Sequence, residues 1–482
     1  MLQTLKISGC SSLESIDLSG LNIAKVTSLS SMFYGCSSLE SIDLSGLNTE
    51  KVTSMASMFD YCKKLKIVNL NNLKTDNLTS MSGMFSGCSS LEEIDLSTIN
   101  TSKVKSASSL FNGCTKLQSV NLGNFDASYL TSAYWMFKGC ANLQSLDLSN
   151  WNTSNVTNME SMFSGCTNLQ SLNLSGWDTS NVTDMNSMFN KCSKLQKLDL
   201  SFFDVGNVTD VSLMFSYCSS LKDLKLGKWN VSNLTNMSHM FSGCSNLERL
   251  DWNFINATNV ENMEYMFYGC SQLRNIQLSN IDMSNVSNNE EMFSRCLSLK
   301  RIDLPSSLRK VGEYMFALCE SLESMTLPEG VDTIGSYAFY KCKQLKEVSL
   351  PSSVITIEDN AFMTCDSLIY VIVNWRYPLD ITEDIFPNRQ NAYLYVPYGS
   401  WEYYYLTRIW KEFKEIRQYR AKLVGDVNYD NKLSVTDVML LVNYILGKEN
   451  HPFSRAKADI NSDGRITVTD VTQMVSAISG RK

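Results

Sequence analysis

Apolar residues recur at a fixed spacing of 26 residues along most of the chain. Each unit is marked by a cysteine. A leucine follows three residues after the cysteine, and two more apolar residues follow six and eight residues after the cysteine, as in Cys140, Leu143, Leu146 and Leu148. The residue between the last two is usually polar. This alternation is typical of a short β-strand with one buried face.

The other half of each unit has a helical spacing. In one unit, Val156, Met159 and Phe163 fall on one face of a helix, with Ser154 before them as an N-cap and Gly165 after them as a C-terminal stop. The spacing therefore predicts a short helix after each strand.

One strand and one short helix every 23 to 26 residues are the signature of leucine-rich repeats. A single repeat cannot bury its own apolar face, so the repeats must stack into a continuous core. The predicted fold class is an α/β solenoid, a rod of leucine-rich repeats with a parallel β-sheet on its concave side and short helices outside. A small all-α calcium-binding domain is predicted to follow.

The cysteines form one ladder, and three interpretations of it are open. Stacked neighbours would lie about 4.8 Å apart, which is within disulfide range. Identical side chains on successive repeats point the same way, however, and metal sites need closer clusters with mixed spacings. We favour a column of small buried fillers over disulfides or a metal site. The column is Cys10, Cys36, Cys62, Cys88, Cys114, Cys140, Cys166, Cys192, Cys218, Cys244, Cys270, Cys296, Cys319, Cys342 and Cys365.

The period shortens to 23 residues near residue 304, where Pro305, Pro328 and Pro351 open three successive units. We call these the short repeats and the preceding ones the long repeats. The pattern then decays, and we expect the segment 374–420 to cap the core. There, 393–397 is predicted to be a last strand and 401–416 an amphipathic helix with Trp410, Phe413 and Ile416 turned inward. The stretch 411–422 is predicted to be a charged exit into the final module.

These changes predict four segments: long repeats over 1–303, short repeats over 304–373, a cap and linker over 374–422, and a double calcium-loop module over 423–482. In the last segment, two stretches match one twelve-residue template, 426–437 and 459–470. Each runs into an apolar helix, at 438–446 and 471–478, which ends at Gly447 or Gly480.

The two stretches carry oxygen donors at loop positions 1, 3, 5 and 12, and a backbone carbonyl is available at position 7. Carboxylates about 4 Å apart repel by roughly 4 kcal/mol per pair at an effective dielectric constant of 20, and a bound divalent cation reverses that sign. We therefore predict two calcium ions. Asn431 stands at position 6 of the first loop, where it can adopt the left-handed conformation. The predicted ligands are Asp426, Asn428, Asp430, Lys432 and Asp437 in the first loop, and Asp459, Asn461, Asp463, Arg465 and Asp470 in the second.

The repeats resemble a known family. The unit Val156–Cys166 is similar to those of the BspA-like surface proteins, and the short unit with its Leu-Pro, Ala-Phe and Cys-x-x-Leu elements is similar to the Treponema-type repeat of the same group. The resemblance covers roughly residues 10–420. It implies secretion or display on the bacterial cell surface, and adhesion to a protein or glycan macromolecule of a host or microbe.

The terminal module, from Gly425 to about Gly480, resembles a type I dockerin, because position 12 is Asp and no full helix precedes either loop. That resemblance implies a cohesin partner, contacted through loop positions 10 and 11. These positions hold Val435 and Thr436 in the first loop and Val468 and Thr469 in the second. They depart from the best-known Ser-Thr pattern, which puts the cohesin partner in doubt.

A polar column runs along the predicted concave face, through Asp17, Asp43, Asn69, Asp95, Asn121, Asp147, Asn173, Asp199, Lys225 and Asp251. We favour a solvated ladder with hydrogen bonds between repeats. The alternative is a recognition surface, since concave solenoid faces commonly bind partners. Its candidate partner-binding residues are Asp95, Asp147 and Asp199.

Charge and composition reduce the number of function classes that fit the sequence. A net charge of −7 with 19% charged residues gives no footprint for nucleic acid or a membrane surface, and no apolar run is long enough to insert into a bilayer. Residues 1–6 show no signal-peptide pattern and lie inside a repeat, so we expect a trimmed N-terminus. With two histidines, no nucleophile–base pair and no segment left to house an active site, an enzyme is the least favoured class. A secreted adhesion protein is favoured, and a structural spacer in a cohesin–dockerin complex is the alternative.

Overall fold

The structure is a computed structural model that describes residues 5–123, 125–250, 258–278, 281–419, 424–429, 432–448, 453, 455–461 and 465–479. The chain divides into two compact units, Met1–Gln272 and Leu273–Lys482. The first unit contains long repeats. The second contains the rest of the long repeats, the short repeats, the cap and the terminal module. The four segments inferred from the sequence stay a prediction.

Short strands of neighbouring repeats pair in parallel and in register, as when Leu146 lies opposite Leu172, and in the first unit they pair in twos. In the three-residue strands of the first unit, the middle side chain points into the core and its two neighbours point outward, as the alternation in the sequence predicts. The strands are β1 (Ser41–Asp43), β2 (Ile67–Asn69), β3 (Glu93–Asp95), β4 (Ser119–Asn121), β5 (Ser145–Asp147), β6 (Ser171–Asn173), β7 (Lys197–Asp199), β8 (Asp223–Lys225), β9 (Lys310–Val311), β10 (Ser324–Thr326), β11 (Thr333–Ile334), β12 (Glu347–Leu350), β13 (Thr356–Ile357), β14 (Tyr370–Val373), β15 (Tyr393–Pro397) and β16 (Glu415–Tyr419).

The core consists of columns of identical side chains. The Phe163 and Phe189 rings stack with centroids 5.8 Å apart and planes 6° from parallel. Beside them, the cysteines are free thiols and all except Cys10 are buried. The Cys166 thiol donates to the Phe137 carbonyl oxygen at 3.1 Å, and burial raises the pKa of this thiol to about 12. The interpretation of the cysteines as buried fillers is confirmed.

The short helices predicted within the repeats are wrong. In the described part of the repeats this segment is a chain of turns, with Ser161 at φ 51°. Its amides donate to the next repeat instead of to a carbonyl four residues back: Ser161 N–H bonds to the Asn186 oxygen at 2.8 Å and Phe163 N–H to the Met188 oxygen at 2.9 Å. A residue with positive φ breaks an α-helix, so the helix-like spacing here reflects tight turns that face one core.

The second unit ends in a five-stranded parallel sheet in the order β10-β12-β14-β15-β16, and β9, β11 and β13 form a second, three-stranded sheet. The strand predicted over 393–397 is confirmed as β15. The long helix predicted over 401–416 is wrong. The charged exit predicted over 411–422 is wrong for 411–419, which belong to the cap and its sheet, and 420–422 lie outside the described residues. The chain forms only a short helix α1 (Trp401–Tyr405) and a 3₁₀ turn at Trp410–Glu412, and then adds β16 to the sheet.

The cap still buries the side chains that the amphipathic pattern selected. Trp410 is fully buried and Phe413 nearly so, whereas Ile416 is only half-buried on β16. Pairing with β15 satisfies the backbone of 415–419, which a helix could do only by leaving the edge of β15 unpaired. The residues were therefore assigned to the right core but to the wrong element.

The terminal module contains α2 (Val435–Ile445), α3 (Arg455–Ala458) and α4 (Val468–Ser479). The helices predicted at 438–446 and 471–478 are confirmed, and each begins three residues earlier than predicted. Leu441 and Met474 meet in a small core with Val427, Phe453 and Ala458. None of the helices that the structure describes is both long enough and apolar enough to cross a membrane.

Replacing Thr153 by valine should lower the local free energy of unfolding by about 1–3 kcal/mol, because the partly buried backbone N–H and carbonyl oxygen of Asp178 lose their partner. The Thr153 hydroxyl donates to the Asp178 oxygen at 2.8 Å and accepts from the Asp178 N–H at 2.9 Å. Native-state hydrogen exchange over residues 151–182 measures the effect. The control is Thr157→Val, at an exposed position, which should change stability by at most about 0.5 kcal/mol. Equal effects at both sites would contradict this role of Thr153 and of the equivalent buried threonines, here called the threonine column: Thr49, Thr75, Thr101, Thr153 and Thr179.

Candidate functional sites

Each predicted calcium loop is closed by the carboxylate at its twelfth position. The buried Asp437 accepts the Val427 N–H at 3.0 Å through Oδ1, and the Ser434 N–H at 2.8 Å and hydroxyl at 3.1 Å through Oδ2. Asp470 accepts the Ile460 N–H at 2.9 Å and the Thr467 N–H at 2.8 Å in the same way. Ser434 and Asp437 also form a capping box that starts α2.

The first position of the first loop is a fully buried carboxylate, Asp426, whose Oδ2 lies 3.2 Å from the Lys457 ammonium nitrogen. Asn428 is half-buried beside it, whereas Lys432 is exposed and would contribute only its backbone carbonyl oxygen. In the second loop, Asp459 is half-buried. The side chains of Asn461 and Arg465 are exposed.

The donor set fits a hard cation. Ca²⁺ takes six to eight oxygen ligands, and each loop offers carboxylate, amide and carbonyl oxygens with no soft donor. Burial of the carboxylates at positions 1 and 12 requires compensation by hydrogen bonds or by positive charge. Among the residues that the structure describes, no three Asp, Glu, His or Cys side chains group as a metal site. The position 5 ligands, Asp430 and Asp463, and the position 6 residue Asn431 lie outside the described residues.

The predicted cohesin-contacting residues lie on the outside of the two module helices. Val435 and Val468 are 64% and 66% exposed, and the following Thr436 and Thr469 are exposed as well. Their surroundings are also apolar, because Met439 on α2, Leu446 directly after α2, and Val475 on α4 are exposed. Each helix therefore has two apolar faces, one in the core of the module and one in solvent.

The polar column follows the outward face of the strands of the first unit. Asp95, Asp147 and Asp199 are exposed. The serine two residues further on donates its hydroxyl and backbone N–H to each of them, and these bonds hold the pKa of each carboxyl below its usual value. The side chains therefore stay ionised and orient the turn that follows the strand. Asp251 lies outside the described residues.

From β1 to β8 the column alternates. Asp43, Asp95, Asp147 and Asp199 end the odd-numbered strands, and Asn69, Asn121, Asn173 and Lys225 end the even-numbered ones. The strands pair in the same twos, and a neutral or positive partner bonds the acid, as when Asn69 Nδ2 donates to Asp43 Oδ1 at 3.0 Å. Lys225 likewise lies 3.4 Å from Asp199. The hydrogen-bonded ladder expected from the sequence is present in these pairs.

Sequence analysis missed a group of residues where the terminal module touches the sheet. Tyr429, at position 4 of the first loop, packs against Tyr395 and Tyr419. The ammonium group of Lys457 lies over the rings of Tyr419 and Tyr429, at 5.0 and 4.6 Å from their centroids. One available signal is the run of tyrosines at alternate positions of β15, which gives the strand an aromatic outward face where the long repeats have serine and aspartate.

Comparison with known families covers almost the whole chain. The sequence model described as "BspA type Leucine rich repeat region (6 copies)" matches residues 261–392, and the one described as "Dockerin type I domain" matches residues 424–479. Residues 261–392 are thus a region of BspA-type leucine-rich repeats, and residues 424–479 are a type I dockerin domain. Four overlapping matches, at 5–125, 107–223, 131–250 and 196–307, span most of its 482 residues and show that the chain belongs to the family described as "Mycoplasma protein of unknown function, DUF285".

The solved structures similar to this chain include bacterial leucine-rich-repeat proteins. One from Bacteroides ovatus is 21% identical over 76% of this chain and 85% of its own, with a TM-score of 0.44. A leucine-rich cell surface protein from Faecalibacterium prausnitzii is 22% identical over 59% of this chain and 83% of its own, with a TM-score of 0.29. One from Eubacterium ventriosum is 17% identical over 66% and 80% of the two chains, with a TM-score of 0.32. No curated protein matches the sequence.

Replacing Asp437 by alanine should lower the free energy of opening of α2 by about 1–3 kcal/mol, because the buried Val427 N–H and the Ser434 N–H lose their acceptor. Asp437→Asn keeps one acceptor oxygen and should have a smaller effect. Hydrogen exchange of 435–445 in the full chain, measured in a calcium chelator, reports the change without a contribution from metal. Thr436→Ala, one residue away and exposed, is the control. Unchanged exchange in Asp437→Ala would show that this carboxylate does not close the loop.

Proposed function

We propose that this protein is a secreted or cell-surface binding protein with two separate contact surfaces. The exposed strand face of the long repeats binds a protein or glycan macromolecule. The terminal module binds two calcium ions and attaches the chain to a cohesin. Catalysis has no part in this proposal, because repeat proteins of these families are generally binding proteins.

The observation that carries the proposal is the exposed, ordered polar column on β1 to β8. Its carboxylates are held in place by the turns that follow, so a partner would meet them already oriented and with little loss of side-chain entropy. Solenoids commonly use such extended faces for recognition. The candidate residues for this contact remain Asp95, Asp147 and Asp199.

Calcium binding is supported by the match to the dockerin family and by the donor set of the loops. The predicted ligands are the oxygens of Asp426, Asn428, Asp430, Lys432 and Asp437, and of Asp459, Asn461, Asp463, Arg465 and Asp470. When bound, calcium neutralises the carboxylates of each loop and fixes the loop against the helix that follows. The two helices then have a set orientation for a partner.

Attachment through the module is supported by the exposed apolar residues of α2 and α4. Val435 and Val468 stand at the same loop position, followed by Thr436 and Thr469, and both pairs are exposed. Exposed apolar groups in this number on two short helices favour a partner that buries them.

The double variant Val435→Asp with Val468→Asp should abolish cohesin capture, because each substitution places an unpaired charge where apolar surface is buried. The measurement is pull-down of the full chain with a panel of immobilised cohesins, in calcium and in chelator. The wild type should bind only in calcium. The control is Ile355→Asp, at a position 71% exposed in the short repeats, which should bind like the wild type. Capture that ignores both calcium and the double variant would argue against attachment through this module.

The strand-face contact is tested by the triple variant Asp95→Asn, Asp147→Asn and Asp199→Asn, which removes three negative charges from exposed positions. We expect it to lose macromolecules that the wild type captures from host and bacterial surface extracts, by tenfold or more. Three exposed acids replaced outside the polar column, Asp332→Asn, Asp359→Asn and Asp366→Asn, provide a control for net charge. The alternative function, a structural spacer in a cohesin–dockerin complex, is favoured if the wild type captures nothing that the triple variant loses.

A further inference from the structure

The outward face of the strands changes in burial within the second unit. In the long repeats the outward residues at the strand ends are exposed, as Asp95 is. In β12, β14 and β15 the equivalent face is covered: Glu347 is 4%, Ser349 7%, Ile372 1% and Tyr395 4% exposed. Something must pack on this face of the sheet, and the described residues identify it as the terminal module.

The first calcium loop supplies the central contact. Tyr429 is 6% exposed and lies in a cluster with Ile372, Tyr395 and Tyr419. Its ring centroid is 5.5 Å from that of Tyr395 and 5.1 Å from that of Tyr419, the second at 76° between planes. Such edge-to-face aromatic pairs contribute beyond their buried area. Tyr429 also holds a left-handed backbone conformation, with φ 58°, which the loop must maintain for the ring to reach the sheet.

Lys457 connects the same contact to a predicted calcium ligand. Its buried ammonium group lies over the rings of Tyr419 and Tyr429 and pairs with the carboxylate of Asp426. One cation therefore touches the sheet, the ring that docks on the sheet, and the first position of the loop. A buried ammonium group is stable only with such compensation.

A second contact lies further along the sheet. The backbone N–H of Phe453 donates to Glu347 Oε2 at 3.2 Å. The Phe453 ring stacks on Tyr444 of α2 at 4.5 Å, and the guanidinium carbon of Arg301 lies 4.7 Å from the Tyr444 ring centroid. The module is thus held at two places, and the second includes the helix that follows the first loop.

We propose that the strand face of the short repeats and cap is a docking surface for the chain's own terminal module, and that calcium binding in the first loop and docking strengthen each other. The coupling follows because the loop that carries Asp426 and Asn428 also carries Tyr429, so both events select one loop conformation. This coupling rests on the calcium binding proposed above. Chelation releases the module and uncovers Tyr395, Ile372 and Tyr419.

The experiment uses the full chain. Hydroxyl-radical footprinting, read by mass spectrometry, follows the accessibility of Tyr395, Ile372 and Tyr419, and isothermal titration measures calcium affinity. In the wild type these residues should be protected in calcium, and their labelling should rise severalfold in chelator. Tyr429→Ala should raise labelling in calcium and weaken one of the two calcium sites by about tenfold, within the usual range of such coupling.

Two further variants serve as controls. Tyr429→Phe keeps the ring and should behave like the wild type, which separates loss of the contact from failure to fold. Ser462 occupies position 4 of the second loop, where Tyr429 stands in the first loop, and is not aromatic. Ser462→Ala should therefore change neither the labelling nor the calcium affinity.

Each contrary result refutes one part of the proposal: docking, the coupling or the metal sites. Strong labelling of Tyr395 in the calcium-bound wild type would refute docking. Two calcium sites unaffected by Tyr429→Ala, with labelling that ignores chelator, would refute the coupling and leave calcium binding standing. A chain that binds no calcium at all would refute the proposed metal sites and the coupling with them, whereas protection of Tyr395 would still support docking.

Discussion

Backbone hydrogen bonding between successive repeats is the constraint on which the structure depends. In the turn segments, alternate amides such as those of Met159, Ser161 and Phe163 donate to the repeat that follows. Each repeat therefore satisfies its backbone only when it has a neighbour. Because these bonds join equivalent positions of successive repeats, identical side chains lie above one another in columns. This explains the stacked phenylalanines, the buried thiols and the threonine column.

The sequence predicts the periodic part of this fold and fails on the route that the backbone takes between columns. Spacing identified the strands, the core cysteines and the helices after both calcium loops. It assigned helices to the turns because Val156, Met159 and Phe163 face one core in either conformation. The feature that distinguishes the turn from a helix is the positive φ at Ser161. A glycine at this position would have indicated a positive φ in the sequence, whereas a serine does not. The helix predicted in the cap is wrong for a similar reason, since an amphipathic stretch can also add a strand to a sheet.

The candidate sites divide in the same way. Loop positions follow from a local template, so Asp437 and Asp470 could be placed in the sequence before their bonds to Val427 and Ile460 were known. The contact of Tyr429 and Lys457 with the sheet joins residues from distant parts of the chain. No periodicity predicts such a contact, because the second loop has Ser462 at the position of Tyr429, and Lys457 lies outside both loops. Only three-dimensional packing shows that the covered sheet and the first loop share one cluster.

The alternation of acidic and neutral residues along β1 to β8 has a consequence for how such a protein can change length. Loss of one asparagine-bearing repeat, or duplication of one aspartate-bearing repeat, between β1 and β8 would set two aspartates on adjacent strands, about 4.8 Å apart, where like charges face each other directly. Loss or duplication of two repeats together preserves the order. The pair of strands, rather than the single repeat, is accordingly the unit that this part of the solenoid can lose or duplicate without ever bringing two acids together.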